Sequence, residues 1–288
     1  MKNNIKFSVI IPSYNQGEYL EETIQSVLNQ KYKNFDIYIL DGGSTDNSVD
    51  VIKKYEDKIK YWHSKKDKGQ SDAINQGIKM CDGDIIAWIN SDDTYLPNTF
   101  DIVSNYFKNN QSCEILYGNF YFTDPVGKIM RKVKIGKNIS YNKMLFHNYL
   151  GQPAVFFTKN GVNNIGMLDQ DYHYVMDWEY WLRWMKKYKL HYCNNYFSTY
   201  RLQEDAKTSQ QGDDKFGNEI RLMISRNQQQ IFKSDTLNNL YYKIYSFYSK
   251  FQRLYFLISR DPVGSIKIFN WLYSLKNILK YLKWRFKF

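Results

Sequence analysis

Short apolar runs alternate along the first hundred residues with stretches of helical periodicity. Phe7-Ser8-Val9-Ile10-Ile11-Pro12 is a β-branched run closed by proline, Ser13 to Gly17 reads as a loop, and Tyr19 to Gln30 places Leu20, Ile24, Val27 and Leu28 on one helical face. Phe35 to Leu40 predicts a second strand ending at Asp41-Gly42-Gly43-Ser44-Thr45-Asp46, followed by a helix from Val49 to Tyr55. A weaker strand, Ile59 to Trp62, leads into Lys68-Gly69-Gln70-Ser71-Asp72, a loop that turns into a helix through Gly77. The apolar run Asp84 to Ile89 then ends on Asn90-Ser91-Asp92-Asp93. Strands alternating with helices predict an α/β fold: a mostly parallel sheet flanked by helices, joined by right-handed crossovers. Such sheets bind ligands at the carboxyl ends of their strands. Pro12 and Tyr14, Asp41, Gly69 to Asp72, and Asp92 with Asp93 all fall at such ends.

Two adjacent carboxylates repel, and one reason to keep them together is a hard divalent cation that needs oxygen ligands. Asp and Ser also make ordinary turns and helix caps, so on this stretch alone both readings stand. A glycine-bearing loop leading into a helix offers backbone N–H groups to an anion. Its spacing is neither GxGxxG nor a Walker A motif, which disfavours a dinucleotide dehydrogenase or a P-loop ATPase. A carboxylate pair with a cation facing phosphates points to chemistry on a nucleotide diphosphate.

Composition narrows the field. At 288 residues, 43% hydrophobic and 18% aromatic, the chain can bury a proper core. A net charge of +11 admits nucleic acid, anionic membrane or phosphorylated substrates as partners. Cys81, Cys113 and Cys193 have no CxxC spacing, so neither a zinc module nor a disulfide framework is expected and a reducing compartment is. The N-terminus lacks the pattern of a signal peptide, and no apolar run reaches the length of a membrane span. The expected location is cytoplasmic.

The segments Val9 to Asn15, Asp41 to Asp46, Gly69 to Gly77 and Asn90 to Asp93 together resemble the nucleotide-sugar-binding half of glycosyltransferase family 2, with the GT-A fold, over roughly residues 5 to 125. The resemblance implies that Pro12, Tyr14 and Asp41 contact the nucleoside, that Gly69, Gln70 and Asp72 line the donor site, and that Asp92 meets the ribose or metal. It further implies that Asp93 binds a divalent ion, Mg2+ or Mn2+, bridging the diphosphate of a UDP-sugar donor. Two positions depart from the pattern: Asn90 stands where many members have the first Asp of a DxD motif, and Ile74 replaces an arginine of the glycine loop.

Further along, Ile115 to Phe122 predicts a strand, and another falls in the segment from Gly151 to Phe157, within an acceptor half of about residues 126 to 235. In Met176-Asp177-Trp178-Glu179, Asp177 resembles the Asp of the family's Glu-Asp motif, the general base of inverting transfer; the competing reading is a helix N-cap. Gln152, Trp178 and Glu179 are the acceptor-binding candidates. Trp178, Trp181 and Trp184 share helical spacing, which is the signature of core packing. Arg201 and Lys207 could supply the cation absent at Ile74, and Gln203 stands where related sequences often carry a metal-binding His. Tyr180-Trp181-Leu182-Arg183-Trp184 lacks the Gln of the QxxRW segment of processive synthases.

From Thr236 to Phe288 there are ten Lys and Arg against the single Asp261, so this stretch carries +9 of the total charge. Apolar and aromatic residues alternate with these cations. That pattern predicts a basic helical extension, residues 236 to 288, on an anionic membrane surface; helices packed on a catalytic domain of residues 1 to 235 are the other reading. The expected function is an inverting, non-processive glycosyltransferase, peripheral on the inner membrane face, acting on a glycan or lipid-linked acceptor in cell-surface polysaccharide synthesis. A nucleotidyltransferase or a basic nucleic-acid-binding protein is the alternative; the latter is disfavoured because the basic excess is confined to the tail.

Overall fold

The computed structural model describes residues 4–137, 139–203 and 214–227, together with residues 240 and 243. Two compact units emerge, Met1–Met144 with Asn148–Arg226, and Leu145–His147 with Asn227–Phe288. The sequence had placed the boundary at residue 235. The predicted basic helices of residues 236 to 288 lie outside the described residues, as does Lys207.

The first unit runs β1 (Phe7–Ser13), α1 (Gly17–Leu28), β2 (Phe35–Asp41), α2 (Ser48–Lys54), β3 (Tyr61–Ser64), α3 (Gln70–Met80) and β4 (Ile85–Trp88). It continues through α4 (Thr99–Asn109), β5 (Ile115–Thr123), β6 (Ile129–Val133), α5 (Tyr141–Phe146), β7 (Val155–Thr158), α6 (Lys159–Ile165), α7 (Met176–Lys187), β8 (His191–Arg201) and α8 (Asp214–Asn227). One sheet holds the strands in the order β3-β2-β1-β4-β7-β5-β6, with β8 also paired to β5. β1 pairs in parallel with both β2 and β4, and β2 with β3. Beyond β4 the ladder turns antiparallel, β4 to β7, β7 to β5 and β5 to β6, while β8 runs parallel to β5. The predicted parallel sheet is therefore the first half of the molecule, and hairpin-type pairing takes over in the second.

Val9, Ile10 and Ile11 are wholly buried, as a parallel strand covered by helices on both faces requires. Phe7, Phe100 and Phe156 form the aromatic centre of the core, Phe7 stacking on Phe100 with ring centroids 4.7 Å apart. The phenyl pair adds to the area it buries. Close packing of α3 on β1 depends on Gly77, where a Cβ would stand 2.6 Å from the Ile10 side chain.

Element boundaries shift where tertiary contacts intervene. α1 starts at Gly17 and not Tyr19, because the Asp46 carboxylate, on the next strand's loop, accepts the Gly17 N–H at 2.9 Å. β3 starts at Tyr61 and not Ile59, because a 3-10 turn at Glu56–Lys58 takes up the preceding chain.

Candidate active site

All four parallel strands present their carboxyl ends on one edge, and there the loops are tied to one another. Asn15 accepts the Thr45 N–H at 2.8 Å and donates its own N–H to Ser44 Oγ at 2.8 Å. Asp41, fully buried, receives the Gly43 and Ser44 N–H groups and the Ser44 and Ser64 hydroxyls. Its carboxylate is thus spent on shaping the β2 loop. Asp46 holds Gly17 and also accepts from the backbone and hydroxyl of Ser48. Burial raises its pKa, but these hydrogen bonds outweigh burial and hold it below the usual carboxylate range.

On this braced edge Tyr14 stands 62% exposed. A Cβ on Gly42 would meet the Tyr14 ring at 3.3 Å and the Asp67 carboxylate at 3.0 Å, so the absence of a side chain there opens the face between them. Gly69 adopts φ 108° and heads α3, donating its N–H to Asp67 at 2.7 Å. Asp72 in the first turn of α3 accepts from Lys68 N–H, Gln76 and Gln170. Ile74, at the position where related sequences place arginine, is wholly buried.

The β4 end is a hydrogen-bonded floor. Asn90 Oδ1 accepts both from the Trp88 indole at 3.1 Å and from Gln70 at 2.8 Å. Gln152, expected at the acceptor, instead donates to the Trp88 carbonyl at 2.7 Å and is buried, with its Oε1 lacking a partner among the described residues.

The two adjacent carboxylates are not equivalent. Asp93 is 1% exposed, its Oδ1 accepting the Arg201 N–H at 2.8 Å and its carbonyl accepting from Thr23. Burial first, and then the neighbouring Asp92 charge, push Asp93 well above the usual carboxylate range. Asp92 is half-buried, and its Oδ2 accepts from Gln203 Nε2 at 2.6 Å, the same amide that reaches Gln16 Oε1 at 3.1 Å. Burial raises its pKa too, against the opposing pull of the Gln203 hydrogen bond. Both carboxylates were expected at one cation; the structure buries Asp93, where it ties the turn to β8, and leaves Asp92 partly exposed with Gln203 on its Oδ2. Among the described residues no three His, Cys, Asp or Glu side chains converge on one ion position.

Arg201, expected to face a pyrophosphate, is buried and spends its guanidinium on protein. It donates to the carbonyls of Asp92 and Pro125, pairs with Glu22, and lies over the Tyr19 ring at 4.8 Å. It acts as a bracket behind the Asp92 turn.

Asp177 is the second residue of α7, so the N-cap reading is set aside; Val175 holds that place. Its Oδ2 accepts from Asn148 Nδ2 at 3.0 Å and its Oδ1 from the Trp178 N–H at 2.7 Å. The start of α7 meets the start of α3: Ser71 Oγ donates to the Tyr172 carbonyl at 3.3 Å, and the His173 ring stands 3.6 Å from where a Gly69 Cβ would be. The segment that leads into Asp177 thus packs on the glycine loop. The other two acceptor candidates are turned into the protein. Trp178 is buried, its indole N–H on the Met144 carbonyl, and Glu179 is buried with both carboxylate oxygens accepting from Arg183 Nε. Trp181 and Trp184 are core, as their spacing predicted.

Glu219 of α8, which the sequence did not single out, accepts the backbone N–H groups of His173, Tyr174 and Val175, at 2.7 Å for Tyr174. These N–H groups immediately precede α7, and a carboxylate there also favours the positive end of the helix dipole. Its 44 to 46 residues of separation leave no local signal for this contact.

Comparison with known proteins matches residues 8–170 to the model of glycosyl transferase family 2. An uncharacterised glycosyltransferase of Rickettsia felis is 29% identical over 220 residues, 73% of this chain but 36% of that protein. The chain therefore spans about a third of the length of that relative, and likewise 35% of a Rickettsia conorii one. The Escherichia coli protein WfgD, a UDP-Glc:alpha-D-GlcNAc-diphosphoundecaprenol beta-1,3-glucosyltransferase, is 30% identical over 206 residues, covering 70% of this chain and 79% of WfgD. Staphylococcus aureus TarS in complex with UDP-GlcNAc superposes with TM-score 0.64 at 16% identity, over 86% of this chain and 73% of TarS. The mannosyltransferase PcManGT of Pyrobaculum calidifontis, in complex with GDP-Man and Mn2+, gives 0.57 at 13%, over 76% and 65%. These last two show the shared fold.

Proposed function

The chain belongs to glycosyl transferase family 2, and from that membership we propose that it moves a sugar with inversion from a nucleotide-diphospho-sugar, a UDP-sugar, to a glycan or lipid-linked acceptor of the cell surface. The observation that supports this reading is the arrival of Tyr14, the Gly69 loop and Asp92 at the carboxyl ends of neighbouring parallel strands, with the segment that leads into Asp177 packed on the Gly69 loop. Exposed Tyr14 offers a face to the nucleobase, and the first turn of α3 offers N–H groups to the diphosphate.

Asp92 suits a hard cation: it is a partly exposed carboxylate with the side-chain amides of Gln203 and Gln16 beside it. Magnesium is commonly held by one or two carboxylates plus substrate phosphates, so the Asp92 carboxylate with the Gln16 amide oxygen, freed of the Gln203 N–H, is an adequate protein share. Bound there, the ion would neutralise charge on the departing diphosphate. Asp177 takes the proton of the acceptor hydroxyl as that oxygen attacks the anomeric carbon from the face opposite the diphosphate. Asn148 holds the Asp177 carboxylate in place for this step. In this reading residues 1 to 235 form the transferase and 236 to 288 a membrane-associated extension; the lipid-linked acceptor finds support in the name of WfgD.

Incubation with UDP-sugars and Mg2+ or Mn2+ tests the reading through released UDP and the anomeric configuration of the product. Asp92→Asn is expected to lose cation-dependent donor binding by calorimetry. Attack on the α-phosphate, with release of pyrophosphate, would instead make the protein a nucleotidyltransferase.

A further inference from the structure

The ribbon formed by β5 and β6 carries an unexplained surface. In β6 the residues Ile129 to Lys132 are exposed on both faces of the strand, with Ile129 and Met130 each at 52%. Val126, at the tip of the connecting turn, is 86% exposed. From Val126 to Lys137 the chain carries Lys128, Arg131, Lys132, Lys134 and Lys137 and no acid.

Cations on an edge strand have an ordinary use, since they deter pairing with another sheet. That purpose explains the lysines and leaves three large apolar side chains in water unexplained. Apolar side chains at a projecting tip, flanked by positive charge of one sign, complement a bilayer whose headgroups are anionic. The tip is also tied to the candidate site. Pro125 accepts from the Arg201 guanidinium at 2.6 Å, and the same guanidinium donates to the Asp92 carbonyl at 2.8 Å. The turn itself is firm: Gly127, at φ 82°, donates to the Asp124 carbonyl at 3.0 Å, and Lys128 N–H to the Asp124 carboxylate at 2.8 Å.

We propose that the β5–β6 ribbon is a membrane-docking surface, with Val126, Ile129 and Met130 entering the headgroup region of an anionic bilayer and the five cations meeting its phosphates. The ribbon is tied through Arg201 to the Asp92 turn, where a lipid-linked acceptor would arrive. The choice of acceptor rests on the function proposed above; the docking itself is tested without donor or acceptor, so either can fail alone.

All three native cysteines are buried, so a Val126→Cys variant of the full chain can carry an environment-sensitive fluorophore at the tip. Lys60→Cys, exposed at the amino-terminal edge of the sheet, serves as the control. Vesicles of phosphatidylcholine with about one part in three phosphatidylglycerol are expected to blue-shift the probe at 126 and not at 60, with loss of the effect in neutral vesicles and weakening by salt. The combined Val126→Ser, Ile129→Ser and Met130→Ser variant should lower vesicle partitioning at least about tenfold with an unchanged melting temperature. Lys128→Gln or Lys132→Gln alone should lower it about fivefold. Sedimentation with vesicles but no shift at 126 would overturn the proposal in favour of the tail. A vesicle-independent, concentration-dependent shift would overturn it in favour of a second copy pairing with β6, and a shift with duplex DNA alone in favour of nucleic acid.

Discussion

The two halves of the sheet build their share of the site in opposite ways. At the carboxyl edge of β1 to β4, loops brace one another over short spatial distances: Asp41 and Asp46 are consumed in that bracing, while the Tyr14 ring stays exposed. On the other side, Asp177 is steered from outside its own helix, by Asn148 on its carboxylate and by Glu219 on the N–H groups before α7. A polar residue at a strand end is therefore as often a brace as a ligand. Burial and hydrogen-bond partners tell the two apart.

The comparison breaks most sharply at Asp177. Asp177→Asn is expected to lower transfer by about 10² or more, with nucleotide affinity nearly unchanged, because a base acts in the transition state. Calorimetry with UDP and a product assay check it; lost donor affinity with normal transfer at saturation would move Asp177 to the donor half.

Glu219→Ala sharpens the claim that α7 is positioned from outside. A fall in kcat of about tenfold is expected, with donor affinity retained, since three N–H groups lose their acceptor and the base shifts by a fraction of an ångström. Glu219→Gln keeps an acceptor oxygen and should restore most of the rate. A change in melting temperature without any change in kcat would leave Glu219 purely structural.

Glu179→Ala tests whether a buried acid near the base touches acceptor. Loss of the Arg183 partner is expected to cost about 2 kcal/mol in denaturant unfolding, with the acceptor KM unchanged. A raised acceptor KM at unaltered stability would return Glu179 to the acceptor site.

The smallest effect belongs to the bracing of the donor edge. Asp46→Ala should cost about 1 kcal/mol, as a lost helix cap does. The Asp46 pKa is lower folded than unfolded, so its contribution is present above the ordinary carboxylate range and vanishes as pH falls through the depressed folded value. Wild type and variant should therefore differ in urea unfolding at neutral pH, begin to converge only below the ordinary carboxylate range, about pH 4, and coincide below the depressed folded value. A difference that persisted in acid would assign the effect to packing.

By itself the sequence determined the repeating β-loop-α order, the location of the polar residues at strand ends, and the core character of Trp181 and Trp184. These follow from periodicity, because side chains three or four apart share a helix face and an apolar run bounded by turns makes a buried strand. Only the tertiary structure decided which of two adjacent acids is buried, since Asp92 and Asp93 differ by nothing local and it is the β8 backbone that claims Asp93. It likewise turned Arg201 into a bracket and Glu179 into half of a buried pair. The antiparallel turn of the sheet after β4 and the reach of Glu219 to α7 had no sequence signal either, because both depend on contacts between residues far apart in the chain, where propensity and pattern carry no information.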